Sequence, residues 1–274
     1  MKKILLIFAG AFCFSSATIG QTNQSLKLNK GEKYQVNNKL ETTSSTDVQG
    51  QSMETKVNVS STYNIVVKDK TDNNYNLTNT ITHMVMNTSV MGTDINFDSD
   101  KKEDMDGQIG TALKEFINQP KDVVIDNTGK IISKDEADTS AIAKQLNLGA
   151  TGYGAQLAFL ALPKSAKAGA TWTENSDENG IKRNTNYTIK SIDGNVATIS
   201  FDGTVTTETT MEQQGMEVNS KTTGKFSGEE KVDVKTGVVQ SNTTTGEATG
   251  TVSAMGQDFP TSTKITSTTT VKGL

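Results

Sequence analysis

Apolar residues alternate with polar ones through most of the chain. Met53, Val57, Val59, Tyr63, Ile65 and Val67 share one parity of a single run. Tyr75, Leu77, Ile81, His83 and Val85 share one parity of the next. A period of two describes a strand with one buried face and one wet face. The polar stretch 68–74 between the runs predicts a hairpin turn. The preceding run, Lys33 to Val48, is more polar and ends at Gly50. From Met53 to Val67 a strand would span on the order of 50 Å at ~3.3 Å per residue, so the sheet is expected to curve strongly or close partway into a barrel.

The middle of the chain changes period. Ile109, Leu113, Phe116 and Ile117 predict a helix over 107–118, stopped by Pro120. Residues 123–132 predict a compact hairpin around Asn127-Thr128-Gly129. Ala141, Ile142, Leu146 and Leu148 predict a second helix over 135–148, capped by Asp135 or Asp138. Residues 149–161 are small and apolar, with Tyr153, Leu157, Phe159 and Leu160, and Pro163 closes them. Alternation then returns through 187–192, 197–205, 216–226 and 243–271, with turns at Asp193-Gly194 and Lys235-Thr236-Gly237 and a break expected near 256–260.

The two alternating regions echo each other in order. Leu28-x-Lys-Gly31-x-x-Tyr34 matches Lys167-Ala-Gly169-x-x-Trp172, Tyr63-x-Ile65-x-x-x-Asp69 matches Tyr187-x-Ile189-x-x-x-Asp193, and Ile125-Asp-Asn-Thr128-Gly129 matches Asp233-Val-Lys-Thr236-Gly237. This predicts a duplicated β unit, with copies over 26–133 and 163–274 sharing one core.

Composition narrows the chemistry. Thr occurs 41 times in 274 residues, which suits exposed strand faces. The formal charge is −4 and Arg183 is the only arginine, so no nucleic-acid footprint is present. One histidine, His83, and one cysteine, Cys13, exclude His/Cys metal sites, a Cys–His dyad and a disulfide framework. Residues 1–20 read as a secretory signal: Lys2 and Lys3, an apolar run from Ile4 to Phe14, then small residues with cleavage after Ala17 or Gly20. That run is shorter than the about 20 residues a membrane-spanning helix needs. Phe12 before Cys13 argues against a lipid anchor there.

The candidate sites have bland readings. His83 sits on a strand face and is expected to be structural. The acidic stretch from Asp98 to Gly107 begins like a calcium loop, but Lys101 and Lys102 interrupt it and no Glu closes it, so it reads as a solvated loop. Gly149 to Gly154 lacks the Lys-Ser/Thr of a phosphate loop and reads as a hinge, close helix packing, or part of a cover over the mouth of a curved sheet. No Ser-x-x-Lys or Gly-x-Ser-x-Gly motif occurs. No catalytic, cofactor-binding or metal-ligating residue is assigned, no cofactor is expected, and the chain is not expected to be an enzyme.

The Lys30-Gly31-x-x-Tyr34 opening, the 124–131 segment, the Leu162-Pro163 to Gly169-x-x-Trp172 junction and the turn at 233–237 resemble a family of uncharacterised secreted proteins common in Bacteroidota, a domain of unknown function. The resemblance covers most of the chain after the signal and implies no activity. The architecture is also similar, more loosely, to lipoprotein-carrier-like half-barrels, a fold-level analogy.

The sequence therefore predicts a mainly β (α+β) protein: a signal peptide over 1–20, a β-rich half over 21–134 with a short helix near 107–118, a helical or apolar connection over 135–162, and a second β-rich half over 163–274. Two functions compete. One is an exported binding protein for an apolar or lipid-like small molecule, with Tyr153, Leu157 and Phe159 lining the site. The other is a structural or interaction component of the envelope. An Asp/Glu hydrolase ranks third. A continuous apolar cavity of at least ~300 Å³ is expected under the first, and a filled interior under the second.

Overall fold

The structure is a computed structural model that describes residues 24–48, 50–90, 92–132, 153–178, 180–213, 216–254 and 256–274. The signal segment 1–20 with Cys13, the helix expected over 135–148 and residues 149–152 lie outside the described residues.

Among the described residues eleven strands form one antiparallel sheet: β1 (Lys33–Val48), β2 (Gln51–Lys70), β3 (Asn74–Val90), β4 (Thr93–Asp98), β5 (Lys121–Asp126), β6 (Thr171–Glu178), β7 (Ile181–Asp193), β8 (Val196–Gln213), β9 (Met216–Asp233), β10 (Val239–Ala254) and β11 (Gln257–Gly273). Their order is β4-β3-β2-β1-β11-β10-β9-β8-β7-β6, and β5 pairs with β3 beside β4. The sheet is not closed: β4 and β5 end one side and β6 the other. The halves join through the pairing of β1 with β11, from Tyr34 opposite Gly273 to Thr46 opposite Thr261.

Strand ends divide the sheet into a base and a tip. The turns at 70–74, 126–130, 193–196 and 233–239 lie at the base, and the β1–β2, β3–β4, β6–β7, β8–β9 and β10–β11 hairpins lie at the tip. The base holds one apolar core that includes Tyr34, Ile65, Leu77, Ile125, Trp172, Ile189, Ile199, Val232 and Val271, so both halves share it. Toward the tip the inward positions of β1 and β11 become polar. Ser44 bonds Thr263 at 3.0 Å and Thr46 bonds Thr261 at 3.1 Å across the pair. Cross-strand hydroxyl pairs satisfy groups that a buried face would otherwise leave without partners.

Glycine faces phenylalanine repeatedly on β8 and β9. Phe201 lies opposite Gly228, and Phe226 lies opposite both Gly203 and Gly246. A Cβ at Gly203 would meet the Phe226 ring, and one at Gly228 the Phe201 ring. Glycines opposite aromatic rings leave room for the rings to pack over the backbone.

The repeat is visible in the pairing, with one shift of register. Gly31 (φ 88°) donates to Val67 O at 2.8 Å, and Gly169 (φ 84°) donates to Ile189 O at 2.8 Å. Tyr34 pairs with Ile65, and Trp172 pairs with Tyr187. A register shift follows both Val67 and Ile189. Tyr187 therefore corresponds to Ile65 rather than to Tyr63, two residues from the register the sequence motif suggests. By the same pairing, β3 corresponds to β8, while β9 corresponds to β4 and β5 together. The helices α1 (Lys102–Asp106) and α2 (Gln108–Leu113) interrupt that strand in the first half.

Two elements differ from expectation. The helix near 107–118 ends at Leu113, because Ile117 bridges to Ile81 and Asn118 takes φ 58° while donating to Ile81 O. The break near 256–260 is only the tight turn at Gly256, and Pro260 lies within β11. Pro260 precedes Thr261, the first β11 residue paired with β1, so one flank of the strand is still open where the proline lacks its N–H.

Candidate functional site

The base is tied together by residue 26. Leu26 N donates to Asn127 O at 2.8 Å and Lys27 N to Thr236 O at 3.0 Å, so this one segment holds the β5 turn and the β9–β10 turn. The turns are built alike. Asp126 Oδ1 accepts from Thr128 N and Oγ1, and Asp233 Oδ1 accepts from Thr236 N and Oγ1, all within 2.9 Å. Gly129 and Gly237 close them with positive φ and face the Leu26 side chain. Next to these turns Phe159 bridges to Val238, and Leu160 N donates to Gly237 O at 2.9 Å. The short helix α3 (Tyr153–Ala158) and residues 159–162 are thus fixed across the base.

A cavity of about 60 Å³ lies under this segment. Leu157, Phe159 and Leu160 border it on one side, and Tyr187, Phe201, Phe226 and Val239 on the sheet side. Of the residues singled out by sequence, Leu157 and Phe159 line the cavity. Tyr153 does not: its ring meets Tyr63 edge-on at 6.1 Å. Gly154 brings α3 close to β2, since a Cβ there would meet the Tyr63 ring and Asn79.

The polar wall of the cavity was not anticipated. Glu174, Arg183 and Glu230 are only 4%, 6% and 6% exposed, and all line it. Each sits on the inward parity of its strand: Glu174 two residues from Trp172, Arg183 four from Tyr187, Glu230 four from Phe226. Extending the period-two pattern past Phe226 to Val232 would have placed Glu230 inside. Trp172 Nε1 donates to Glu174 Oε1 at 3.3 Å, and Trp172 stacks on Tyr187 at 4.8 Å. The Arg183 guanidinium lies 5.1 Å from the centre of the Phe226 ring, a cation–π contact.

Glu230 is the perturbed group. Burial pushes its carboxyl up to about 7, the Asn242 amide opposes the rise, and the Glu174 charge adds to it. Asn242 Nδ2 donates to Oε2 at 3.1 Å, and Asn242 Oδ1 accepts from Thr244. The other oxygen, Oε1, is buried without a hydrogen-bond partner.

A second cluster lies away from this cavity. His83 Nε2 is 3.3 Å from Asp98 Oδ1 and 3.5 Å from Asp100 Oδ2. Asp98 Oδ1 also accepts the Asp100 N–H, and the Asp98 N–H bonds Asp104. The acidic loop therefore folds back onto the lone histidine, a link that residue spacing does not reveal. The contacts reach only Nε2 of the imidazole, and Asp100 is largely exposed. A groove of about 340 Å³ at the tip of β2 and β3 is lined by Gln51, Ser52, Met53, Glu54, Lys56, Ser89 and Gly92.

Comparison with known proteins places the fold. A model described as a family of unknown function (DUF6263) matches residues 72–151 and 155–239, more than half of the chain. No curated protein matches. A structure of lipovitellin, described for its lipid–protein interactions, aligns over 90% of this chain and 26% of its own at a TM-score of 0.52 and 14% identity. This chain thus spans about a quarter of that one, and the likeness is one of fold. An outer membrane channel from Pseudomonas putida F1 aligns over 93% of this chain and 100% of its own at a TM-score of 0.26 and 10% identity. Among the described residues no helix is long and apolar enough to cross a membrane.

Proposed function

The chain belongs to the DUF6263 family of unknown function, and from that premise we propose that it is an exported, non-catalytic protein that binds an amphipathic, lipid-like molecule beneath α3. The supporting observation is the cavity itself. Leu157, Phe159, Leu160 and Val239 give it an apolar side, while Glu174, Arg183 and Glu230 converge on the other. An apolar pocket with a few convergent polar groups suits a ligand with one polar end. The lipovitellin-like sheet and the lipid interactions described for that protein agree with this reading. At about 60 Å³ the cavity takes a head group, and a chain enters only if α3 lifts. Uptake of 1-octanol, followed by Trp172 fluorescence, tests this. Binding that is lost in a folded Leu157→Lys variant supports the site. No binding by the wild type overturns it.

The size of the cavity favours a second reading, an envelope interaction protein with a filled interior. It lies below the ~300 Å³ expected of a small-molecule site. Among the described residues the outer sides of β4 and β6 carry no paired strand, and these edges then accept a partner strand. Cross-linking in the export compartment that captures one partner through β6, together with no ligand uptake, would favour it.

A further inference from the structure

Among the described residues two carboxylates and one guanidinium line the cavity, so with all three ionised their formal charge sums to −1. Burying such a charge is costly unless a partner of opposite sign is supplied. Glu230 Oε1 has no hydrogen-bond partner, on a side chain more than nine-tenths buried. Asn242 fixes the carboxylate through the other oxygen. The rings of Tyr187, Phe201 and Phe226 form the adjoining wall, with centroids 5.9 Å and 6.4 Å apart along the row. Aromatic faces beside a carboxylate recognise an organic ammonium.

We propose that the cavity is a subsite for a primary ammonium group, with the Glu230 carboxylate as its counter-ion and the Tyr187, Phe201 and Phe226 rings as its wall. This deepens the binding function proposed above and rests on it for the location of the ligand. The volume of about 60 Å³ suits an ammonium with its first carbons. Anions are disfavoured by the excess carboxylate. Among the described residues the other charged groups lining the cavity are Glu174 and Arg183, while Gln156 of α3, Asn242 of β10 and Ser267 of β11 are neutral. A carboxyl that titrates at about 7 ties binding to its ionised form, so amine affinity falls as pH drops below neutrality.

Three probes separate the subsite from the apolar reading: methylammonium, 1-octanol and n-octylamine. Trp172, the only tryptophan, stacks on Tyr187 and reports occupancy by fluorescence. At about pH 8 both the amine and the Glu230 carboxylate are charged. Methylammonium and octylamine are expected to bind, and both lose about tenfold or more in affinity in Glu230→Gln, equivalent to one charge-assisted contact. The exposed-neighbour control Glu229→Gln retains binding. Octanol binding is unchanged by Glu230→Gln. If octanol and octylamine bind equally, and Glu230→Gln alters neither, the ammonium subsite is wrong and the apolar site stands. If methylammonium binds through Glu230 while octanol does not bind, the apolar reading fails and the subsite stands. If neither amine binds to the folded wild type, the subsite is overturned.

Discussion

Glu230 and Asn242 face each other across the β9–β10 pair, and only one carboxylate oxygen of Glu230 is used, accepting the Asn242 amide at 3.1 Å. The strand carries a charge at a register position flanked inward by Gly228 and Val232. Neither neighbour hydrates it. This pair is therefore the point where stability and binding meet.

Its pH dependence has a defined sign. The folded carboxyl titrates at about 7 against an ordinary 4.5, so between these values the folded state holds the proton and the unfolded state does not. Stability from this group is present at low pH and is lost as pH rises toward and through about 7. The loss is on the order of 3 kcal/mol at most, taking about 1.4 kcal/mol per pH unit. Glu230→Gln should flatten this fall and raise the urea midpoint at about pH 8. Parallel pH profiles for the two proteins would contradict the burial argument.

Leu26 is expected to be a stability hot spot. It is almost fully buried, its amide holds the β5 turn, and its carbonyl accepts the Tyr75 hydroxyl. Leu26→Ala should cost about 2–5 kcal/mol, because a cavity opens against Gly129 and Gly237. A change in thermal midpoint no larger than that of an exposed-residue control would show that the two turns hold without this contact.

The glycine–phenylalanine pairs predict an asymmetry. Gly228→Ala pushes a methyl group into the Phe201 ring and the Thr243 carbonyl. It should destabilise by roughly 1–3 kcal/mol despite the better strand propensity of alanine. At Gly273 a Cβ meets nothing, so Gly273→Ala should be close to neutral. Equal midpoints for the two variants in chemical denaturation would remove this account of the glycine–phenylalanine packing.

The strands, the tight turns and the duplication were legible in the sequence because period two and turn glycines are local signals. Met53 to Val67 and Tyr75 to Val85 lie inside β2 and β3, and the turn at 235–237 is where expected. The register of the repeat was not legible: pairing sets Tyr187 against Ile65, two residues from the match that the shared Tyr-x-Ile suggests, and only the strand pairing reveals it. The helix within 107–118 was legible, but nothing local shows that β4 and β5 on either side of it share one edge of β3. The polar wall was hidden for another reason. Glu174, Arg183 and Glu230 read as surface charges one at a time, and only strand order brings β6, β7 and β9 around one space. His83 likewise meets Asp98 and Asp100 through the pairing of β3 with β4.

Covering the site should matter more than the aromatic nearest the start of α3. Leu157→Lys should abolish ligand uptake while the protein stays folded, since Leu157 borders the cavity. Tyr153→Phe should leave uptake unchanged, because that ring packs on Tyr63 instead. Circular dichroism and a binding titration on each variant check this. Loss of uptake in Tyr153→Phe with retention in Leu157→Lys would relocate the site.

The most direct test of the binding function is native mass spectrometry of the protein purified from its own export compartment, followed by organic extraction. The expected result is a stoichiometric extra mass that extracts as an amphipathic molecule carrying an amine, and that is missing from Glu230→Gln. A clean apo mass in both proteins, with no uptake of octylamine or octanol afterwards, would contradict it.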